Sequence, residues 1–157
     1  MKTYVASKNA GKLDELRAIF AGSPLEPDTY AEYASVPEVA PDYLGNARLK
    51  AEALAGRLAS SGVGAAVLAD DSGLEVDALD GRPGVYSARY AGADATWETR
   101  RRRLLDELQG VAPARRGSRF VCAMALILPD GEILTVLGTV AGTITEAPCG
   151  AGGFGYD

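Results

Sequence analysis

Apolar residues recur along the chain with two different periods, one typical of helices and one of strands. A helix from about Lys12 is predicted by apolar residues at helical spacing, Leu13, Leu16 and Phe20. A second helix is predicted over residues 44–59, where the apolar stripe consists of Leu44, Ala47, Ala51, Leu54 and Leu58. A third is predicted after a capping Asp94 or Thr96 and ends near Gly110.

Strands are predicted between these helices. Residues 2–6 form the first, a proline-containing region over 24–41 holds one short strand, and the apolar run 65–69 forms the next. The run 120–128 is apolar on both faces, which places it inside a sheet, and 133–144 returns as its hairpin partner after a Pro-Asp-Gly turn. The pattern predicts an α/β fold, a three-layer single domain over 1–157 with a mixed sheet.

Two adjacent carboxylates follow the apolar run 65–69. We expect this strand to end at Asp70 and Asp71, and the pair Ser72-Gly73 to turn the chain. Adjacent carboxylates repel each other, so both stay ionised only beside a cation or a ring of donors. Carboxylate oxygens at the end of a strand suit Mg²⁺. The alternative is a solvated acidic turn.

Three further segments have features suited to a nucleotide. The loop Ser7-Lys8-Asn9-Ala10-Gly11-Lys12 leads from a strand into a helix, where main-chain N–H groups attract phosphate, although a capped helix start would look the same. Glu38 and Lys50 stand before and within the second helix; both are also compatible with an ordinary surface position. The glycine-rich residues 150–157 bring Phe154 and Tyr156 as stacking side chains, or form a frayed tail.

Composition removes several classes of function. The chain has 157 residues, a net charge of −5 and no histidine. It therefore lacks the residues for a Ser-His-Asp site or a His-ligated metal, and its charge argues against a nucleic-acid binder. We expect the arginines 100–103 to form a solvated helix face, and Cys122 to be a small buried residue. No signal sequence or membrane-spanning run is evident, so a cytoplasmic location and no membrane partner are expected.

Five motifs occur together in one order: Ser7-x-Asn9-x-x-Lys12, Asn46-Ala47-x-x-Lys50-Ala51, Ala69-Asp70-Asp71-Ser72-Gly73-Leu74-x-Val76-Asp77-Ala78-Leu79, Pro83-Gly84-Val85-Tyr86-Ser87-Ala88-Arg89-Tyr90 and Gly153-Phe154-Gly155-Tyr156-Asp157. In these motifs the chain resembles the inosine triphosphate pyrophosphatase family from end to end. The resemblance implies a long mixed sheet flanked by helices, with two lobes around a central cleft, and a homodimer. It also implies Mg²⁺-dependent hydrolysis of ITP, dITP and XTP to the monophosphate and pyrophosphate.

The resemblance also assigns roles to residues. By position, Ser7, Asn9, Lys12 and Lys50 would hold the triphosphate, and Ser72 would touch the substrate. Glu38 and Asp71 would bind Mg²⁺, and Asp71 would accept the proton of the attacking water. Phe154, Gly155, Tyr156 and Asp157 would line the base pocket.

The chain departs from the family pattern in two places. The loop around Glu38 differs from that of relatives, and the chain stops at Asp157, where relatives continue with a strand and a helix that help recognise the purine. An alternative function is therefore a catalytically weak nucleotide-binding module that has lost base recognition. A nucleic-acid binder that uses the arginine clusters is a third hypothesis, which the net charge disfavours.

Overall fold

A computed structural model describes residues 1–8, 10–150 and 155–157. Its strands and helices follow the predicted order. The strands are β1 (Lys2–Val5), β2 (Glu26–Thr29), β3 (Ala66–Val76), β4 (Gly117–Ile127) and β5 (Ile133–Thr143). The helices are α1 (Ala10–Ile19), α2 (Tyr43–Ser60) and α3 (Trp97–Glu107), and short 3₁₀ turns lie at Asp77–Leu79, Gly84–Arg89 and Pro113–Arg115.

The five strands form one mixed sheet in the order β2-β1-β3-β4-β5. β1 runs parallel to both of its neighbours, β2 and β3. β4 and β5 are joined by the short turn 128–132, where the Leu128 N–H donates to the Glu132 carbonyl at 2.9 Å and Gly131 has a φ of 92°. A connection this short joins antiparallel strands. The predicted α/β class, with a mixed sheet flanked by helices and a late hairpin, is confirmed.

β3 is buried on both faces, and helices account for this. Leu68 packs in a cluster with Val5 of β1 and with Leu13 and Leu16 of α1. The alternate residue Ala69 is also fully buried, and the next residue on its face, Asp71, is hydrogen-bonded by side chains of α2. Since successive strand residues point to opposite faces, α1 and α2 cover opposite faces of the sheet.

The prediction that this strand ends at the acidic pair was wrong. β3 continues through Asp70, Asp71 and Gly73 to Val76, so the Ser72-Gly73 pair does not turn the chain. Both carboxylates are hydrogen-bonded by lysine side chains, which lets a strand carry them inside the fold. Leu74 and Val76 then continue the buried alternation.

Two compact units divide the chain. The first consists of Met1–Asp71 and Ala123–Leu137, and the second of Ser72–Cys122 and Gly138–Asp157. The first unit contains the cluster around α1. The second has its own core, whose buried members are Leu74, Val76, Leu79, Tyr90, Leu104 and Leu108.

The arginines of α3 correct another expectation. The helix begins after Thr96, one of the two predicted caps, whose Oγ1 accepts from the Thr99 N–H at 3.1 Å. Arg100 is buried and donates to the carbonyls of Gly92 and Ala93. The arginines 100–103 therefore do not form a simple solvated face, because a guanidinium can satisfy main-chain carbonyls that the nearby loop leaves open.

Arg116 is a second buried arginine, with 4% of its surface exposed. Its guanidinium donates to the carbonyls of Leu108, Ile144 and Thr145 at 2.8 to 2.9 Å. Leu108 directly follows α3, and Ile144 and Thr145 directly follow β5. The Arg116 side chain therefore links the C-terminal ends of α3 and β5 inside the second unit.

Two other features complete the fold. Every residue of the edge strand β5 is exposed. Cys122 is half-buried rather than fully buried, and Cys149 is exposed. Among the described residues, no helix has both the length and the apolar character needed to cross a membrane.

Candidate active site

The two adjacent aspartates face opposite sides of β3, and each has its own lysine. Asp70 shares the face of Leu68 and pairs with Lys12 of α1. Asp71 lies on the other face and accepts from Lys50 of α2. The strand's alternation therefore separates two charges that the sequence places side by side, and Asp71 shares its lysine with a second carboxylate.

That second carboxylate is Glu38. The Lys50 ammonium donates to Glu38 Oε1 at 3.0 Å and to Asp71 Oδ1 at 3.1 Å. Only 12% of the Lys50 side chain and 8% of the Asp71 side chain are exposed. The structure thus brings together three residues that the sequence singled out, Glu38, Lys50 and Asp71, around the position of one cation.

Asn46 is a fourth member of this cluster. Its side chain is fully buried, and its Nδ2 donates to Asp71 Oδ2 at 3.1 Å. Asn46 belongs to one of the five sequence motifs, but no role was predicted for it. A signal was available, because Asn46 and Lys50 are four residues apart and so share one face of α2.

The first turn of α2 brings the loop that carries Glu38 against the helix. Asp42 caps the helix, its Oδ1 accepting from the Gly45 N–H at 2.7 Å. A Cβ on Gly45 would lie 2.6 Å from the Cβ of Ala40, so only glycine lets the loop approach this closely. Ala40 lies two residues after Glu38, and this close contact therefore helps to fix where Glu38 lies.

Burial and charge shift the pKa values within the cluster. Burial raises the pKa of Asp71; the charge of Lys50 opposes this shift, and the charge of Glu38 adds to it. Burial alone would lower the pKa of Lys50, but the charge of Asp71 and the hydrogen bond to Glu38 outweigh it and raise that pKa. Lys50 therefore keeps its proton, while Asp71 takes up a proton more readily than an exposed aspartate, which suits a proton acceptor.

The other predicted site residues lie elsewhere or outside the described residues. Ser7 is half-buried in the loop that leads into α1, and Asn9 and Phe154 lie outside the described residues. Ser72 is exposed on β3 and belongs to the second unit.

The predicted base-pocket residues 155–157 are held by the second unit. The Tyr156 hydroxyl donates to the Ser87 carbonyl at 3.0 Å, and its ring meets Trp97 edge-on with centroids 5.5 Å apart. Arg101 donates to the Gly155 carbonyl at 2.6 Å. Asp157 is exposed, and the described part of this segment is thus anchored on α3 and the turn before it.

The Glu38–Asp71 pair has the chemistry of a hard-cation site. Both residues supply carboxylate oxygens, and both oxygens already converge on a single positive charge, the Lys50 ammonium. Among the described residues, no group of three or more histidine, cysteine, aspartate or glutamate side chains could hold a metal ion. A cation here would therefore need further ligands from substrate or water.

Comparison with known proteins identifies the family of this chain. The sequence profile of the Ham1 family matches residues 3–157. The dITP/XTP pyrophosphatase of Exiguobacterium sp. (strain AT1b) is 46% identical over 157 residues, covering 100% of this chain and 78% of that protein. That of Geobacillus kaustophilus is 47% identical over 156 residues, covering 98% of this chain and 74% of that protein.

Solved structures agree with the sequence matches. The Staphylococcus aureus Ham1 protein superposes with a TM-score of 0.84 at 38% identity, covering 100% of this chain and 79% of that one. The dITP/XTP pyrophosphatase of Mycobacterium abscessus gives a TM-score of 0.78 at 41% identity, covering 100% of this chain and 81% of that one. The resemblance seen in the five motifs is confirmed, and the chain belongs to the Ham1 family.

Proposed function

We propose that this protein is a nucleoside triphosphate pyrophosphatase that hydrolyses dITP, ITP and XTP to the monophosphate and pyrophosphate. This activity would keep deaminated purines out of the nucleotide pool. The observation that carries the proposal is the convergence of the Glu38 and Asp71 carboxylates on one positive charge, the Lys50 ammonium. The relatives at 46% and 47% identity, named dITP/XTP pyrophosphatases, support the same substrates.

Mg²⁺ is the cation that would suit this position, and Glu38 and Asp71 would hold it. Two carboxylates leave most of an octahedral shell to water and substrate phosphates, which is how Mg²⁺ commonly binds in phosphoryl-transfer sites. When bound, the ion would neutralise phosphate charge and favour ionisation of a water molecule. Lys50 would exchange one of its carboxylate partners for a phosphate oxygen of the substrate.

Asp71 is the proton acceptor in the proposed reaction. A water oxygen bonds to the α-phosphorus as the bond from that phosphorus to the bridging oxygen of pyrophosphate breaks, and the water proton passes to Asp71. Lys12 and Lys50 offset the negative charge on the phosphate oxygens. Ser7 and Asn9 would add donors to the triphosphate, Ser72 would contact the substrate, and residues 154–157 would line the base pocket.

Pyrophosphate release by the purified 157-residue protein tests this function. We expect turnover of dITP, ITP and XTP that requires Mg²⁺ and exceeds turnover of ATP and GTP. The control for substitutions of the site carboxylates is Asp28→Asn, which neutralises a carboxylate paired with Lys2 at 3.3 Å in the same unit. We expect this variant to keep the turnover of the parent. Nucleotide binding without pyrophosphate release would instead support the weak binding module.

The assembly and location implied by the family resemblance are part of the same proposal. We expect a homodimer, which light scattering coupled to size exclusion would detect, and a cytoplasmic enzyme that acts on free nucleotides. A monomer of full activity would contradict the dimer and leave the reaction unaffected.

A further inference from the structure

Asn46 has a position in the active-site cluster that none of the roles above explains. The side chain is fully buried in the first turns of α2. Its Oδ1 accepts from the Ala40 N–H at 2.9 Å, while its Nδ2 donates to Asp71 Oδ2 at 3.1 Å. One amide therefore joins the loop that carries Glu38 to the strand that carries Asp71.

The two partners fix the orientation of this amide and require its chemistry. A main-chain N–H needs an acceptor, and a carboxylate needs a donor, so the oxygen must face Ala40 and the nitrogen Asp71. Aspartate at this position would offer only acceptors when ionised, and leucine would offer neither group. Glutamine keeps both groups, but the fully buried site leaves no space for its additional methylene.

The amide controls where both carboxylates of the cluster point. Because Oδ2 of Asp71 is held by Asn46, Oδ1 is the oxygen that meets Lys50 at 3.1 Å. Because Ala40 is held two residues after Glu38, the Glu38 carboxylate reaches the same ammonium at 3.0 Å. Asn46, Lys50 and the two carboxylates thus form one connected network inside the first unit.

We propose that Asn46 is a positioning residue that aims Asp71 and Glu38 at a single divalent cation. This inference rests on the proposed pyrophosphatase function and deepens it. Residues that orient metal ligands by hydrogen bonds typically change metal affinity or activity about 10- to 100-fold when they are replaced. Asn46 acts through its hydrogen bonds to Asp71 and to the Ala40 N–H, so its loss affects turnover through the orientation of Asp71 and of the loop that carries Glu38.

The test combines kinetics with a cation-binding measurement that needs no turnover. In Asn46→Leu, we expect kcat to fall about 10- to 100-fold, while KM for dITP changes less than about threefold. We also expect the nucleotide-free protein to bind Mn²⁺ about tenfold more weakly, measured by electron paramagnetic resonance of free Mn²⁺. Asn46→Ser, a smaller polar change, is measured beside it so that the result does not depend on one variant folding well.

Thr3→Val is the matched control. Thr3 is also fully buried in the first unit, and its hydroxyl donates to the Met1 carbonyl at 3.1 Å, away from the cluster. It should lower the melting temperature and leave kcat and Mn²⁺ affinity within about twofold, as expected when only a distant neutral hydrogen bond is lost. Folded Asn46 variants with unchanged kcat and Mn²⁺ affinity would overturn the proposal.

The cation measurement also separates this inference from the proposed function. If the unmodified protein hydrolyses no nucleotide but loses Mn²⁺ affinity in Asn46→Leu, the proposed reaction fails and the positioning role is supported. If the protein hydrolyses dITP and the Asn46 variants are as active as the parent, the reaction stands and the positioning role fails.

Discussion

Lys50 and Arg116 carry positive charges that are largely shielded from solvent, one in each compact unit, and they are satisfied in different ways. Arg116 donates to three main-chain carbonyls, which are neutral and fixed by the backbone. Lys50 donates to two carboxylates that come from separate segments, Glu38 and Asp71. A charge held by carbonyls serves the fold, whereas two carboxylates that share one ammonium can accept another cation beside it. The kind of partner, more than the burial, distinguishes a structural charge from a site.

The largest effect that follows from this comparison concerns Asp71. We expect Asp71→Asn to lower kcat about 10²- to 10⁴-fold, because the amide cannot take a proton from water. Pyrophosphate release measures this, with circular dichroism to confirm that the variant is folded. A variant that retains more than about a tenth of the parent's kcat would remove Asp71 from the role of proton acceptor.

Arg116 should show the opposite pattern, with a large effect on stability and a small one on turnover. We expect Arg116→Leu to lower the free energy of unfolding by about 3 kcal/mol, because three carbonyls lose a charged donor. Urea unfolding measures the change. The control is Arg115→Leu at the exposed neighbouring position, which we expect to stay within about 0.5 kcal/mol of the parent. Loss of turnover in a folded Arg116→Leu variant would contradict a purely structural role for this charge.

Asp70 tests whether the two faces of β3 have different tasks. Asp70→Asn leaves Lys12 a neutral partner, and a neutral hydrogen bond holds an ammonium less firmly than a charged one. A lysine that is held less firmly binds phosphate less well, so we expect KM for dITP to rise about fivefold. We expect kcat to stay within about threefold of the parent, since only phosphate binding through Lys12 is affected. Steady-state kinetics of Asp70→Asn and Asp71→Asn, measured together, decide this. Equal losses of kcat would mean that the faces are not separate in function.

The smallest effect concerns Tyr90 in the second unit. Burial and a hydrogen bond to Glu107 raise the pKa of Tyr90 to about 12. A raised pKa means that the stabilisation is complete well below the unfolded value of about 10, begins to be lost as the pH approaches that value, and continues to be lost up to about 12. We expect this tyrosine to remove about 0.4 kcal/mol of stability between about pH 8 and about pH 10. In Tyr90→Phe, the free energy of unfolding measured with urea should fall by about 0.4 kcal/mol less over this pH range than it does in the parent. An identical pH dependence in both proteins would contradict this prediction.

Much of the fold could be predicted because apolar periodicity records burial directly. The apolar face of α2 and the apolar residues on both faces of β4 were identified in this way, since each pattern is formed by residues close together in the sequence. The extent of β3 could not be predicted, because Asp70 and Asp71 interrupt its apolar pattern. Only their lysine partners, 58 and 21 residues away along the chain, explain how a strand can contain them.

The candidate site was predicted in part for a similar reason. Glu38, Lys50 and Asp71 were singled out by their position in the sequence, the family resemblance gave them roles, and the structure places them together. The buried arginines were not identified, because the acceptors of Arg100 and Arg116 are main-chain carbonyls that no side-chain pattern reveals. Asn46 could have been predicted to lie beside Lys50 from their spacing of four residues. Its second partner could not, because the Ala40 N–H is also a main-chain group.

The alternation that separates Asp70 from Asp71 also affects which genetic changes the protein can tolerate. Inserting or deleting one residue between Ala66 and Asp70 would move every later side chain of β3 to the opposite face. An insertion would bring Asp70 to the position opposite Lys50, and a deletion would bring Asp71 to the position opposite Lys12. Point substitutions across this short segment alter one contact each, whereas a single-codon change of length would remove both aspartates from their present lysines at once.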